Sequence, residues 1–328
     1  MRRLEAMEPK HALAIITAIV LLIALARRLV RIIASDVHDG VATKEASGTD
    51  EIGTVTVACH AAAAGNLTAL MKGGADHWRN ARPIKADPEF ADATPSGETL
   101  GLLSSLNQLS LLPAAYADVL ASFPTTGLWP LVVTGLDEKV EIPWLTGELN
   151  PKEYEHFYPT DVLRKGWSDA MPIAEEEFDA DTYRPYSRAW PGLASPWASR
   201  PELTSIRPVA LWKNVGPSAR LAVVPVTRPA DAVGRLGWTG AVNYDLDPWA
   251  ISAVLRSWED RFGIVLVGMG FDTLTFHNPE ASSDDQQLVT LAAELFALCS
   301  DSVHQGAGSI QSLAASLRGN DYFSLWWD

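Results

Sequence analysis

From Asp247 to Phe262 the sequence writes out a helix with a marked start, and this stretch constrains the fold more than any other. The Asp247 side chain suits an N-cap, and Pro248 occupies the first helical position, where its missing N–H is not needed. Beyond them Ile251, Val254, Leu255, Trp258 and Phe262 share an arc of about 100°, so one narrow face must be covered by other elements. Arg256 and Asp260 project away from it. Such a stripe requires partners, and they flank it in the chain.

Arg220 to Val226 reads as a buried strand, and Pro229 opens a short helix that stops at Gly237. After Gly263, IVLVGM and DTLTFH read as two strands joined at Gly270. Ser283 and Gln286 have capping-box spacing ahead of another helix. Its Leu288, Leu291, Leu295, Phe296 and Cys299 share a face of about 140°, with Glu294 on the other side. A further helix, Ser309 to Arg318, aligns Ile310, Leu313, Ala314 and Leu317 and ends at Gly319, before a last strand from Tyr322 to Trp327. Helices and strands alternate without regular βαβ units. The expected class is therefore α+β, a mixed sheet with packed helices whose core closes as one kernel and leaves Glu259 and Asp260 outside.

Upstream, residues 100–207 form a second lobe ahead of a C-terminal domain at 208–328. An apolar segment from Leu100 to Leu112 precedes a helix from Pro113 to Phe123 and a strand from Leu128 to Thr134, in which Pro130 argues for a sheet edge or a strand start. A short helix is expected at 161–168 around Val162, Leu163 and Trp167. The acidic cluster Glu175, Glu176, Glu177, Asp179 and Asp181, with six prolines from Pro172 to Pro208, marks the connection between lobes.

Residues 36–99 are expected to hold a tether and an Ala-rich helical segment. Residues 35–56 show little periodicity. CHAAAAGNLTALMKGGAD, Cys59 to Asp76, carries ankyrin-like Gly65-Asn66-Leu67 and Gly74-Ala75-Asp76 elements, but one repeat cannot bury a core by stacking. A short Ala-rich helix with a glycine stop is the simpler account. Residues 79–99, with Pro83, Pro88 and Pro95, read as an exposed connection.

The first 35 residues have a different character. Ala12 to Ala26 is fifteen residues without a charge, about 22 Å as a helix and short of the roughly 30 Å hydrocarbon core. Continued through Arg27, Arg28, Arg31 and Ala34 it reaches about 34 Å, and the three arginines share one sector from which they can snorkel to headgroups. We read a single-pass transmembrane helix, with an interfacial amphipathic helix as the second account. A cleaved signal peptide fits less well, because arginines rather than an A-x-A-like site follow the apolar run. Arg2, Arg3 and Lys10 on one side balance Arg27, Arg28 and Arg31 on the other, so charge does not fix the orientation. Two cysteines that do not suggest a disulfide framework favour a body in the cytoplasm.

Beyond residue 35 the chain holds 20 basic and 38 acidic residues. That sign disfavours nucleic acid and favours a basic protein partner. No GxxxxGK[ST], HExxH or GxSxG occurs, and VGMGFD lacks the third glycine and the following helix of a dinucleotide loop, so no cofactor is expected. Cys299, Asp301 and His304 match no zinc spacing, and Cys299 lies mid-face where a buried thiol is packing material. The candidates for acid/base work are Glu259, Asp260, Asp301 and His304. The plainer account pairs Arg256 with Glu259 or Asp260 on the helix surface, contacts worth a few tenths of a kcal/mol. Tryptophan is in excess, with 11 of 12 from Trp129 onward. Packing explains most of them. Trp326, Trp327 and Asp328, at a final strand expected on a sheet edge, are the leading binding candidates, with Trp238, Asn243 and Arg256 beside them.

LRSWEDRFG (Leu255 to Gly263), GWTGAVN (Gly237 to Asn243), GFDTL (Gly270 to Leu274) and the closing LWWD together resemble the bacterial family called domain of unknown function 4253, in the right order over about 221–328. TGLWPLVVTGL, PWLTGEL and WPGLA, from Thr126, Pro143 and Trp190, resemble the portion often joined upstream of it. The resemblance implies no established activity and so no catalytic residues. Where relatives tend to have AAEHFAFCPD, this chain has AAELFALCSD, with Leu295 and Ser300 replacing a histidine and a proline. The expectation is a membrane-tethered, noncatalytic protein-binding module, by analogy an acidic immunity-like protein. The alternative is a hydrolase-like enzyme using the acidic residues and His304 in an interlobe cleft.

Overall fold

The computed structural model describes residues 52–87, 98–137, 139–145, 148–174, 177–197, 203–213, 215–279 and 284–328. The anchor expected at 1–35, residues 36–51 and 88–97, Glu175, Glu176 and Ser283 lie outside them. Among the described residues no helix is long and apolar enough to cross a membrane.

The chain is α+β. Seven strands form one mixed sheet: β2 (Arg82–Lys85), β3 (Thr99–Leu103), β4 (Leu128–Val133), β6 (Arg220–Pro225), β7 (Val265–Met269), β8 (Thr273–His277) and β9 (Tyr322–Trp326), in the spatial order β2-β3-β6-β4-β7-β8-β9. All neighbours are antiparallel except β4 and β7, which run parallel through Val132 opposite Gly268 and Val133 opposite Met269. β1 (Val55–Ala58) and β5 (Leu203–Ile206) pair separately. Strands from before and after residue 207 thus share one sheet, and β4 is threaded between two strands of the C-terminal segment.

Pro130 does not sit at an edge. β4 is central and buried throughout. Its parallel ladder to β7 begins two residues later, at Val132, and the indole of Trp129 donates to the Leu266 carbonyl at 2.8 Å, so the missing proline N–H leaves that strand a donor. Residues 79–99 are not wholly a connection either: Ile84, fully buried, anchors β2 against β3. The single Ala-rich helix resolves into two short ones, Leu67–Gly73, capped by Asn66, and Asp76–Arg79.

Among the described residues there are five longer helices, α1 (Leu112–Thr126), α2 (Pro159–Ala170), α3 (Pro248–Phe262), α4 (Asp285–Leu298) and α5 (Ile310–Leu317); α1 packs on β4 and α3 on β7, while α2 packs on α3 and α4, and α5 on α4. In α3 the expected cap and stripe are present: Asp247 accepts from the Trp249 N–H at 2.8 Å, and Ile251, Val254, Leu255, Trp258 and Phe262 are buried. The α4 cap is Asp284, whose side chain accepts from Gln286 N–H at 2.9 Å, one residue after the expected position. Leu291 and Cys299 are fully buried.

Two carboxylates expected outside are inside. Glu259 is 4% exposed and Glu294 0%. A stripe shows which side of a helix meets the sheet, not whether a second layer covers its flank. Here the Arg228–Ala230 turn covers α3 and the segment through Ala194 covers α4, each bringing donors for the buried charge. Arg256 does not pair with Glu259 or Asp260; Arg228 does.

Candidate functional site

α2 is amphipathic, with Leu163 and Trp167 turned into the core and Trp167 donating to the Arg188 carbonyl at 2.9 Å. Gly166 lets it lie against the end of α4: a Cβ there would fall 1.9 Å from the Ala297 carbonyl oxygen. Across from α2 the chain makes a turn, Val242–Tyr244, ending at Asp245 in the left-handed region (φ 53°) before Asp247 caps α3. Asn and Asp tolerate that conformation better than other residues with a Cβ.

Between these walls lies a cavity of about 460 Å³. Val162, Leu246, Ala250, Ala297 and Leu298 supply apolar lining, and Phe157, Tyr158 and Tyr244 supply rings. Four carboxylates, Asp161, Asp169, Asp245 and Asp247, face one ammonium, Lys165. Lys165 Nζ is 2.8 Å from Asp169, and that hydrogen bond raises its pKa. Asp161 pairs with Arg164 at 3.0 Å and Asp247 with Lys152 at 2.9 Å. Among the described residues no cation forms an ion pair with Asp245.

The wall is braced from behind. Tyr244 Oη donates to Asp301, which also accepts from Gln305 Nε2 at 2.9 Å and from the Asp328 N–H at 3.0 Å. Burial, followed by the Asp301 hydrogen bond, pushes the Tyr244 phenol up.

The acid/base candidates do not converge. Glu259 accepts from Arg228 Nε at 2.8 Å and the Ala230 N–H at 2.7 Å, while exposed Asp260 accepts from Arg228 Nη2 at 3.0 Å. Burial pushes Glu259 up to about 7 against the pull of that guanidinium. Asp301 braces Tyr244. His304 reaches the surface with Nε2 3.1 Å from Tyr183 Oη, its imidazole lowered by partial desolvation.

The binding candidates are dispersed too. Trp238 and Trp327 are buried, packed edge to face at 5.4 Å, so they serve the core rather than a surface. Arg256 binds Asp231 at 2.5 Å and lies over the Tyr154 ring. Asn243 and Asp328 are exposed, and Trp326 is half-buried on β9, which does lie at the sheet edge.

Among the described residues no cluster of His, Cys, Asp and Glu could hold a metal ion. Cys299 Sγ donates to the Trp326 carbonyl at 2.9 Å, and burial pushes the thiol up to about 12. Sequence reasoning missed the cavity residues Asp161, Lys165, Asp169, Tyr244 and Asp245. They follow no motif, and only the helix expected at 161–168 pointed toward them.

Residues 220–328 match the family model described as Domain of unknown function (DUF4253). Neither the curated proteins nor the solved structures yield a match. Leu295 is fully buried and Ser300 lines the cavity.

Proposed function

We propose that this chain is a noncatalytic binding module that engages a basic protein partner through its acidic surface, carried at the membrane by its N-terminal helix with the body in the cytoplasm. The observation that supports it is the dispersal of the candidates over three separate networks, Glu259 and Asp260 on Arg228, Asp301 on Tyr244 and His304 on Tyr183. Charge complements it: residues 220–328 hold six basic and thirteen acidic residues. A field of that sign steers cationic partners and repels nucleic acid. An immunity-like role, in which such a module neutralises a basic effector, is an analogy at the level of charge.

The test is calorimetric titration of the full chain with an oligolysine and an oligoglutamate, and of a variant lacking two exposed carboxylates, Glu153→Gln/Glu155→Gln. Saturable binding of the oligolysine alone, weakened by the variant and by added salt, is expected. Indifference to both peptides sinks the proposal. For the anchor, high-salt extraction without detergent should leave the chain in the membrane fraction, and release would remove the spanning helix.

A further inference from the structure

We propose that the cavity between α2 and the Tyr244–Ala250 turn is a binding site for a small organic cation, an amine carried on an apolar alkyl or aryl stem. This pocket is open to solvent on one side and takes a different class of ligand from a basic polypeptide.

Size comes first. A cavity of about 460 Å³ lies within the range of small-molecule pockets, roughly 300–1,000 Å³. Its chemistry then divides into two parts that one ligand must satisfy together. Val162, Leu246, Ala250, Ala297 and Leu298 give an apolar interior that favours a hydrocarbon body. The charge in the lining is one-sided, with four carboxylates against the Lys165 ammonium.

Which carboxylate receives the amine follows from the ion pairs. Arg164, Lys165 and Lys152 already hold Asp161, Asp169 and Asp247. Asp245 makes no ion pair of its own among the described residues, although the Lys165 charge acts on it from across the same cavity. Asp245 is exposed at the rim of the cavity, so an amine whose stem lies among the apolar residues can set its charge beside the carboxylate while staying partly hydrated. Tyr158 and Tyr244 add rings whose faces attract cations. An anion of the same shape would meet Asp245 with the wrong sign.

The site is also held in place before any ligand arrives. Asp245 closes its turn through its own N–H to the Val242 carbonyl at 3.0 Å. Tyr244 is tied to Asp301 and through it to Gln305 and Asp328. A wall fixed in this way does not have to be ordered on binding, which favours affinity.

The experiment titrates the full chain with three probes of one shape, phenylbutylamine, phenylbutanol and phenylbutyrate, by calorimetry and by saturation-transfer NMR. The amine should bind about tenfold more tightly than the alcohol, with the carboxylate weakest. Asp245→Asn retains a residue that accepts φ 53° and should bring the amine down to the alcohol while leaving the alcohol unchanged. Val162→Trp, on the half-exposed face of α2, should fill the cavity and abolish binding of all three probes. Equal affinity for the three probes, no binding of the amine, or amine binding undiminished in both variants overturns the proposal. Oligolysine binding lost while amine binding persists sinks only the polypeptide reading.

Discussion

Arg261 meets Glu294 with both arms of its guanidinium inside the fold: Nη1 lies 2.6 Å from Oε1 and Nη2 2.6 Å from Oε2. The Trp258 indole adds a donor to Oε2 at 2.9 Å, and the Ala194 N–H one to Oε1 at 2.6 Å. Four donors therefore surround a carboxylate with no exposed surface. The pair fastens α3, α4 and the chain through Ala194 at one point.

Glu294→Ala should cost about 3–5 kcal/mol in urea unfolding, because it strands a largely buried guanidinium. The double variant Glu294→Leu/Arg261→Met should recover much of that loss, since it removes both charges together. A single variant as stable as the parent would show that the pair contributes nothing.

His277, 4% exposed and beside Arg207, is held down to about 4 by burial and then by that guanidinium. Its ordinary value is 6.5. The unfolded chain therefore takes up a proton below 6.5 that the fold refuses until about 4. Stability is complete above this window and falls as pH drops through it, by about 3 kcal/mol in total. His277→Phe should flatten the decline in denaturant midpoints, and an unchanged slope would assign it to other groups.

Gly166→Ala tests the seam beneath the cavity. Helix propensity alone would favour alanine by about 1 kcal/mol. The new methyl would instead press on the Ala297 carbonyl oxygen, 1.9 Å away, and backbone cannot yield as a side chain does. We expect a net loss of about 2 kcal/mol and a lower Tm. A stabilised variant would mean that α2 shifts without cost.

Cys299 should resist alkylation in the native chain and react fully in denaturant. Its thiol is buried, hydrogen-bonded to Trp326 and pushed up to about 12, so little thiolate forms at neutral pH. Rapid native labelling at Cys299, located by mass spectrometry, would contradict this.

Periodicity made the cores of α3 and α4 readable, because Trp258, Leu291 and Cys299 repeat at helical spacing and one face must be buried. It could not show Glu259 and Glu294 to be inside. Their covers come from elsewhere in the chain, Ala194 lying a hundred residues from Glu294. Pro130 misled for a related reason: the proline rule concerns ladder donors, and here the register lets a neighbouring indole supply one. The cavity was illegible since Asp161, Asp169 and Asp245 meet only through the packing of α2 against the turn before α3.

The position of β4 bears on anyone who would excise the family-matched part for study. Residues 220–328 alone would lack both strands that flank β6, leaving Leu221 to Pro225 an orphaned ribbon and β7 a raw margin. Bare strand margins invite pairing between molecules. The fragment should precipitate or self-associate in light scattering where the longer chain stays dispersed, and a well-behaved fragment would mean that it rebuilds its own sheet. The unit that natural selection can swap or tune is then broader than the span by which the family is recognised.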